Sequence, residues 1–258
     1  MRLYFKYFKI HLKSEMQYKL SFILSSLSQF FVFFGYYVTI LCLFDRFSNI
    51  KGFTLYDVLL TFGIVQFGFS FCEAFFRGID QFDTLIIDGG FDRLLLRPRN
   101  ILLQVFGQEV SFVKLSRLAQ ALIILIIAII NIDVVWSIDK ILTLLFMLIS
   151  SILVFLSVFI LAAAYCFITV KGLEVRSVFT DGGRQMAQYP IGIFKKGITF
   201  FFTYIIPFGF VNFYPLLYLL DRVDNIIYMF SPLITILYLI PSIIIFYKGV
   251  KKYSSSGS

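Results

Sequence analysis

Charge is scarce in this chain. Asp, Glu, Lys and Arg make up 15% of its 258 residues, where a soluble domain carries about 25%. Histidine occurs once, at His11. A His-based metal site and a histidine general base inside the membrane therefore have no candidate. The three cysteines, Cys42, Cys72 and Cys166, form no close pair and no metal spacing, so they read as packing residues. No G-x-x-x-x-G-K-[ST] phosphate loop is present, and nothing resembles a nucleophile elbow. The apolar runs do not alternate, which argues against a transmembrane barrel.

What fills the chain instead is apolar surface. Hydrophobic residues are 59% of the sequence, with 34 Phe and 15 Tyr, and the mean hydropathy is +0.89. These values predict an all-α polytopic membrane protein, because a bilayer admits helices where the runs are long and continuous. Net charge is +8. The cations flank apolar runs, which points to anionic lipid headgroups as partners and not to nucleic acid. The first apolar run is too long for a signal peptide and lacks a cleavage site, so it is expected to stay in the membrane.

The pattern predicts six spans at about 20–44, 56–76, 110–132, 141–170, 197–207 and 226–247, together one transmembrane domain over 20–247. Residues 1–19 place Arg2, Lys6, Lys9 and Lys13 at helical spacing among aromatics, the pattern of an amphipathic helix lying along the inner leaflet. Residues 77–100 form a charged loop after the second span, and 171–196 form a second polar, basic segment. Pro207 and Pro215 bracket a glycine too closely for one straight helix. The fifth span is therefore expected to end near Pro207, with 208–220 re-entering the membrane. The tail 248–258 is basic, then Ser-rich.

With six spans, orientation is one binary choice. Putting the termini, 77–117 and 171–196 on one side collects nineteen of the 23 Lys and Arg there. The positive-inside rule makes that side the cytoplasm.

One stretch stands out, Gly89-Gly90-Phe91-Asp92-Arg93-Leu94-Leu95-Leu96-Arg97-Pro98-Arg99-Asn100. The glycines free the backbone, Asp92 is suited to cap a short helix, and Pro98 stops it. Arg93 and Arg97 are four apart and share a helical face. The stretch is either a solvated loop anchored by its cations or an element that docks a soluble motor. Glu73, near the end of the second span, is the one acid inside an apolar run. Such a carboxylate is a site candidate by default, and its plainer role is an ion pair with Arg77 one turn on.

Six spans, the basic N-terminal helix, the loop after span two and the break after span five together resemble the permease subunits of type-2 ABC exporters, within a poorly characterised bacterial group. The residues that carry the resemblance are Gly90 to Pro98 and the run from Ile206 to Leu220. This chain has Arg99 where the family motif usually has a non-basic residue between Pro98 and Asn100. The resemblance implies a non-catalytic transport subunit in the bacterial cell membrane, with both termini cytoplasmic. It implies a second permease, identical or not, and separate cytoplasmic ATPase subunits that hold the ATP and Mg, with no cofactor on this chain. A coupling helix lies at about Ile79 to Pro98, with Asp88, Phe91, Asp92, Arg93, Leu94, Leu95 and Arg97 as its expected contact residues. The re-entrant segment closes the outer end, with Pro207, Asn212 and Pro215 as gate residues. The uncharged aromatic spans suggest an amphipathic or lipid-like cargo. A membrane-integral lipid-modifying enzyme and a membrane scaffold or immunity protein are the alternatives.

Overall fold

The computed structural model describes residues 2–169 and 177–254, with side chains from residue 4 onward. The cations Arg2, Lys171 and Arg176 and the end of the Ser-rich tail lie outside these described side chains. Among the described residues the fold is all helical, with one isolated β-bridge between Ile50 and Phe53.

Five helical rods are long and apolar enough to cross a bilayer: Tyr4–Arg46, Leu55–Phe75, Phe112–Asn131, Ile138–Tyr165 and Ile227–Lys252. The first joins α1 (Arg2–Glu15) to α2 (Lys19–Arg46) through a single 3-10 turn. Its 43 residues amount to about 65 Å of helix, roughly twice the apolar thickness of a bilayer. Sequence predicts a flat interfacial helix at 1–19. The structure joins α1 and α2 through that turn, with Tyr18 at a non-helical φ of −112° and ψ of 65°. α1 leans on the protein at its end of the bundle through Tyr4, His11 and Glu15.

The hub is α3 (Leu55–Phe75). It starts at a capping box in which Thr54 Oγ1 accepts from the Asp57 amide at 3.4 Å and Asp57 Oδ2 accepts from the Thr54 amide at 2.9 Å. It is buried nearly all round, as a helix with apolar residues on every face must be. The later helices follow as α4 (Arg77–Asp80), α5 (Phe82–Ile87), α6 (Gly90–Leu95), α7 (Ile101–Gln108), α8 (Leu115–Asn131) and α9 (Ile138–Tyr165). α8 and α9 flank α3. At Gly68 a Cβ would overlap Ser151 of α9, so α3 and α9 approach closely, as small residues permit in a membrane bundle. By contrast α2 buries only Phe33 and Ile40. Among the described residues most of its apolar length is left unburied.

Two ends of the bundle can be told apart by contacts. The α1 end gathers Phe75, Phe112, Phe167 and Tyr253. The far end gathers the turn at Lys51–Gly52, Asp57, Lys140, Tyr218 and Asp221. Between them, residues 177–189 make a traverse. Phe179 lies near Ala162 and Tyr165, Arg184 reaches Gln66, and the Gln188 carbonyl accepts from Thr61 at 3.0 Å. This traverse comprises a π-helical turn at Val178–Gly182 and α10 (Gly183–Ala187).

The next segment is a hairpin. α11 (Lys196–Phe200), its π-helical extension to Ile205, α12 (Phe208–Asn212) and α13 (Tyr214–Leu219) bend by 89° at Ile206–Pro207. Both of its ends sit at the far end. Lys196 lines a groove with Lys51, and Tyr218 meets Asp139. Its tip reaches Ala162 and Tyr165. Sequence puts the fifth crossing at 197–207 and leaves 171–196 as a loop. In the structure 196–219 is a pair of helices bent by 89°, and residues 177–189 run beside α3 and α9 between the two ends. Hydropathy passes over 177–189 because Asp181, Arg184 and two glycines interrupt it; Arg184 is buried, while Asp181, 3.6 Å from it, is exposed. The chain ends in α14 (Ile227–Phe230), a 3-10 turn and α15 (Ile234–Lys252), which continues through Pro241.

Candidate functional site

The α1 end holds the stretch singled out from sequence. Gly89 adopts a left-handed φ of 63° and is the N-cap of α6, with no side-chain cap bond. Glycine takes that conformation at little cost. Asp92 therefore sits in the first turn, where its carboxylate suits the helix dipole, and not at the cap as its sequence position predicts. α6 ends at Leu95, so Arg97 lies beyond it and does not share a helical face with Arg93. Arg97 instead donates to the Tyr7 hydroxyl of α1 at 3.4 Å.

Of the expected contact residues, Phe91 and Leu94 point inward. Phe91 is 0% exposed and Leu94 2%. Phe91 packs on Phe82, Phe167 and Tyr253 at ring distances of 5.0, 5.6 and 5.1 Å. Phe82 also meets Phe167 and Phe246. These rings tie α5 and α6 to the ends of α9 and α15. The expectation that Phe91 and Leu94 fill a cleft in a partner fails for these two, because this chain's own core claims them. Asp88, Arg93, Leu95 and Arg97 remain exposed, with Ile87 and Leu96 beside them. Burial, and then the neighbouring Asp92 carboxylate, raise the Tyr253 hydroxyl above its usual range.

The element is braced on its other flank. Asn100 caps α7 by accepting from the Leu103 amide at 3.1 Å and also accepts from Tyr247 at 3.3 Å. Gln104, buried, donates to the carbonyls of Leu94 and Arg99. Gly78 packs so closely on α7 that a Cβ would overlap the Val105 carbonyl. α1 adds a clamp. Tyr4 donates to the Phe75 carbonyl, His11 Nε2 lies 3.2 Å from the Gly107 carbonyl, and Glu15 accepts from the Phe112 amide at 3.1 Å.

Beneath this element lies a buried ion cluster. Glu73, 7% exposed, is bonded to Arg117, 3.3 Å from Lys114 and 4.0 Å from Arg77. Arg77 pairs more closely with Glu109, at 2.7 Å. Arg117 also stacks 4.0 Å from the Phe33 ring centroid of α2. From sequence, Glu73 pairs with Arg77, while Lys114 and Arg117 snorkel to the surface. In the fold Arg77 is the most distant of three cations around Glu73. The i,i+4 rule finds partners on one helix, and these two cations arrive from the chain before and within α8.

Sequence gave no sign of Arg184, which it placed in a solvated loop. Its guanidinium, 3% exposed, lies 3.4 Å from Gln66 Oε1 and over the rings of Phe33, Phe69 and Tyr36. Asp181 is 3.6 Å away.

The expected gate residues come together in the hairpin. Pro207 precedes α12 at the bend, Asn212 is fully buried and donates to the Ala187 carbonyl, and Pro215 opens α13. The hairpin is fastened at the far end. Lys140 pairs with Asp221 at 2.6 Å, Tyr218 donates to Asp139 at 2.8 Å, and Arg222 donates to the Gly52 carbonyl at 2.6 Å.

Among the described residues no group of His, Cys, Asp and Glu is placed to hold a metal ion. The fold and site thus define a polytopic all-α membrane protein whose charged side chains fasten elements to each other. The model of the ABC-2 family transporter protein matches residues 16–257. The chain belongs to that family, and it is the membrane permease subunit of an ABC transporter, a transport subunit that works with an ATPase subunit. No curated protein and no solved structure matches it.

Proposed function

We propose that this permease belongs to an ATP-driven exporter in a bacterial cell membrane and is moved from the α1 end by separate cytoplasmic ATPase subunits, which hold the ATP and Mg. One observation carries this reading. The exposed face of α5–α6 is backed by an aromatic cluster joined to α9 and α15. A push on Arg93, Leu95 or Arg97 therefore displaces two long helices and not a loose loop. Cation placement supports the orientation. Lys6, Lys9, Arg93, Arg97, Lys248 and Lys251 lie at the α1 end, with others near them, while Arg46, Lys51, Lys140, Lys195, Lys196 and Arg222 lie at the far end, although sequence puts Lys195 and Lys196 on the richer side. The richer end is cytoplasmic by the positive-inside rule, which puts both termini there. The exposed apolar length of α2 suits a second permease, identical or not. Pro207, Asn212 and Pro215 hold the outer hairpin.

A lipid-modifying role would rely on Glu73, Arg77 and Asp80. Glu73 and Arg77 are already committed to ion pairs, which favours the transport reading. Isolation of the tagged full chain from its host membrane tests the proposal. An ATPase subunit should co-purify, and Arg97→Ala should weaken transport-coupled ATP hydrolysis while the protein still inserts. A cysteine placed at Leu96 should react with an impermeant thiol reagent only in inside-out vesicles. Labelling from outside intact cells would reverse the orientation.

A further inference from the structure

A groove of about 860 Å3 opens at the far end between α2 and residues 182–194. Tyr36, Leu43 and Phe47 form one wall, and Met186, Tyr189 and Phe194 face them. Lys51 stands at the rim. A second groove of about 460 Å3 shares Lys51 and Phe194 with the first and adds Lys196 and Thr203. Among the described residues no Asp or Glu lines either groove. The nearest acid along the chain, Asp181, is paired with Arg184.

Lys51 is presented rigidly. It has φ 50°, and Gly52 has φ 83°. The turn is closed by two backbone bonds of 3.0 Å between Ile50 and Phe53, and Arg222 holds the Gly52 carbonyl. Two polar atoms in the groove walls lack partners. Gln188 is 3% exposed and lines the first groove, and its Nε2 is unpaired. Thr203 is 1% exposed and lines the second, and its Oγ1 is unpaired. Buried polar atoms without partners cost free energy. Thr203 Oγ1 lies against Gly209, and a ligand oxygen reaching Gln188 Nε2 would satisfy that amide.

We propose that the joined grooves bind an anionic amphiphile. Its phosphate or carboxylate headgroup is held by Lys51 and Lys196, and its apolar portion lies along Tyr36, Phe47 and Phe194. The groove is mostly apolar with a few convergent donors, as small-molecule sites are. That this ligand is the cargo rests on the export function proposed above, whereas the binding does not.

Thermal unfolding of the purified full chain in a neutral detergent tests it. The probes are dihexanoyl phosphatidylglycerol, dihexanoyl phosphatidylcholine and, at matched ionic strength, inorganic phosphate. The phosphatidylglycerol should raise Tm saturably, and the other two should not. Lys51→Ala with Lys196→Ala should raise the half-saturating concentration about tenfold. Gln188→Leu should weaken binding to a similar extent without lowering the Tm of the unliganded protein, because it removes an unpaired amide. Lys195→Ala, outside the grooves, should bind as wild type does.

Equal stabilisation by phosphatidylcholine, stabilisation by phosphate alone, or unchanged binding in both groove variants would overturn the proposal. Co-purification of the ATPase is scored separately. Lost binding preference with the ATPase still attached sinks the ligand inference alone. Intact binding with no ATPase sinks the export reading instead.

Discussion

Neutralising Glu73 is the sharpest test of the ion cluster. Glu73→Gln keeps the shape of the side chain and removes its charge. Lys114 at 3.3 Å and Arg77 at 4.0 Å then lose their attraction to it, as does Arg117, which is bonded directly. At an effective dielectric of about 20, each of the two longer contacts amounts to roughly 4–5 kcal/mol of Coulomb energy. Most of that offsets the desolvation of the buried ions. The net cost of leaving buried cations without a counter-charge is about 3 kcal/mol. Arg77 retains Glu109 at 2.7 Å, so the loss falls mainly on Arg117 and Lys114. By the size scaling of globular domains, Tm should fall by roughly 6–12 °C. The assay is thermal unfolding of the detergent-purified chain, run as a double-mutant cycle with Arg117→Met. The double variant should be less destabilised than the sum of the singles by about 1 kcal/mol or more. A Glu73→Gln protein that melts with wild type, or strictly additive variants, would refute the cluster as a fastening.

Phe91→Ala empties a fully buried ring site and should cost about 3–5 kcal/mol, measured by the same melting assay; a change under 1 kcal/mol would deny the aromatic link. Gly78→Ala forces α4 off α7, and limited proteolysis should then cut faster between residues 77 and 108 than in wild type. Arg93→Ala, at an exposed site, should leave Tm within 2 °C while reducing ATPase-coupled transport severalfold; unchanged coupling would remove Arg93 from the contact face. Gly52→Val places a β-branched residue at φ 83° and should destabilise by roughly 1–3 kcal/mol, scored by Tm.

The legibility of this protein from sequence follows the range of the interactions involved. Helices such as α2, α3 and α9 were predictable because their apolar runs are local and long. The break at Pro207 was predictable for the same reason, since proline acts on its own backbone. The traverse at 177–189 was not. Its Arg184 reads as a loop residue until Gln66, Phe33 and Phe69 are brought to it. Phe91 and Leu94 look like surface anchors on a short amphipathic helix until Phe82, Phe167 and Tyr253 close over them.

Composition and hydropathy alone determined that this chain lives in a membrane as a bundle of helices, because a bilayer admits only helices and closed barrels and the apolar runs here do not alternate. Charge asymmetry determined which end carries more cations. Tertiary structure alone decided that Glu73 is enclosed by three cations, that residues 177–189 run between the two ends ahead of the hairpin, and which faces of α6 remain open. Those outcomes depend on groups far apart in the chain meeting in a low-dielectric interior, where the geometry of the partners, and not the identity of the neighbours in sequence, sets the cost of a charge.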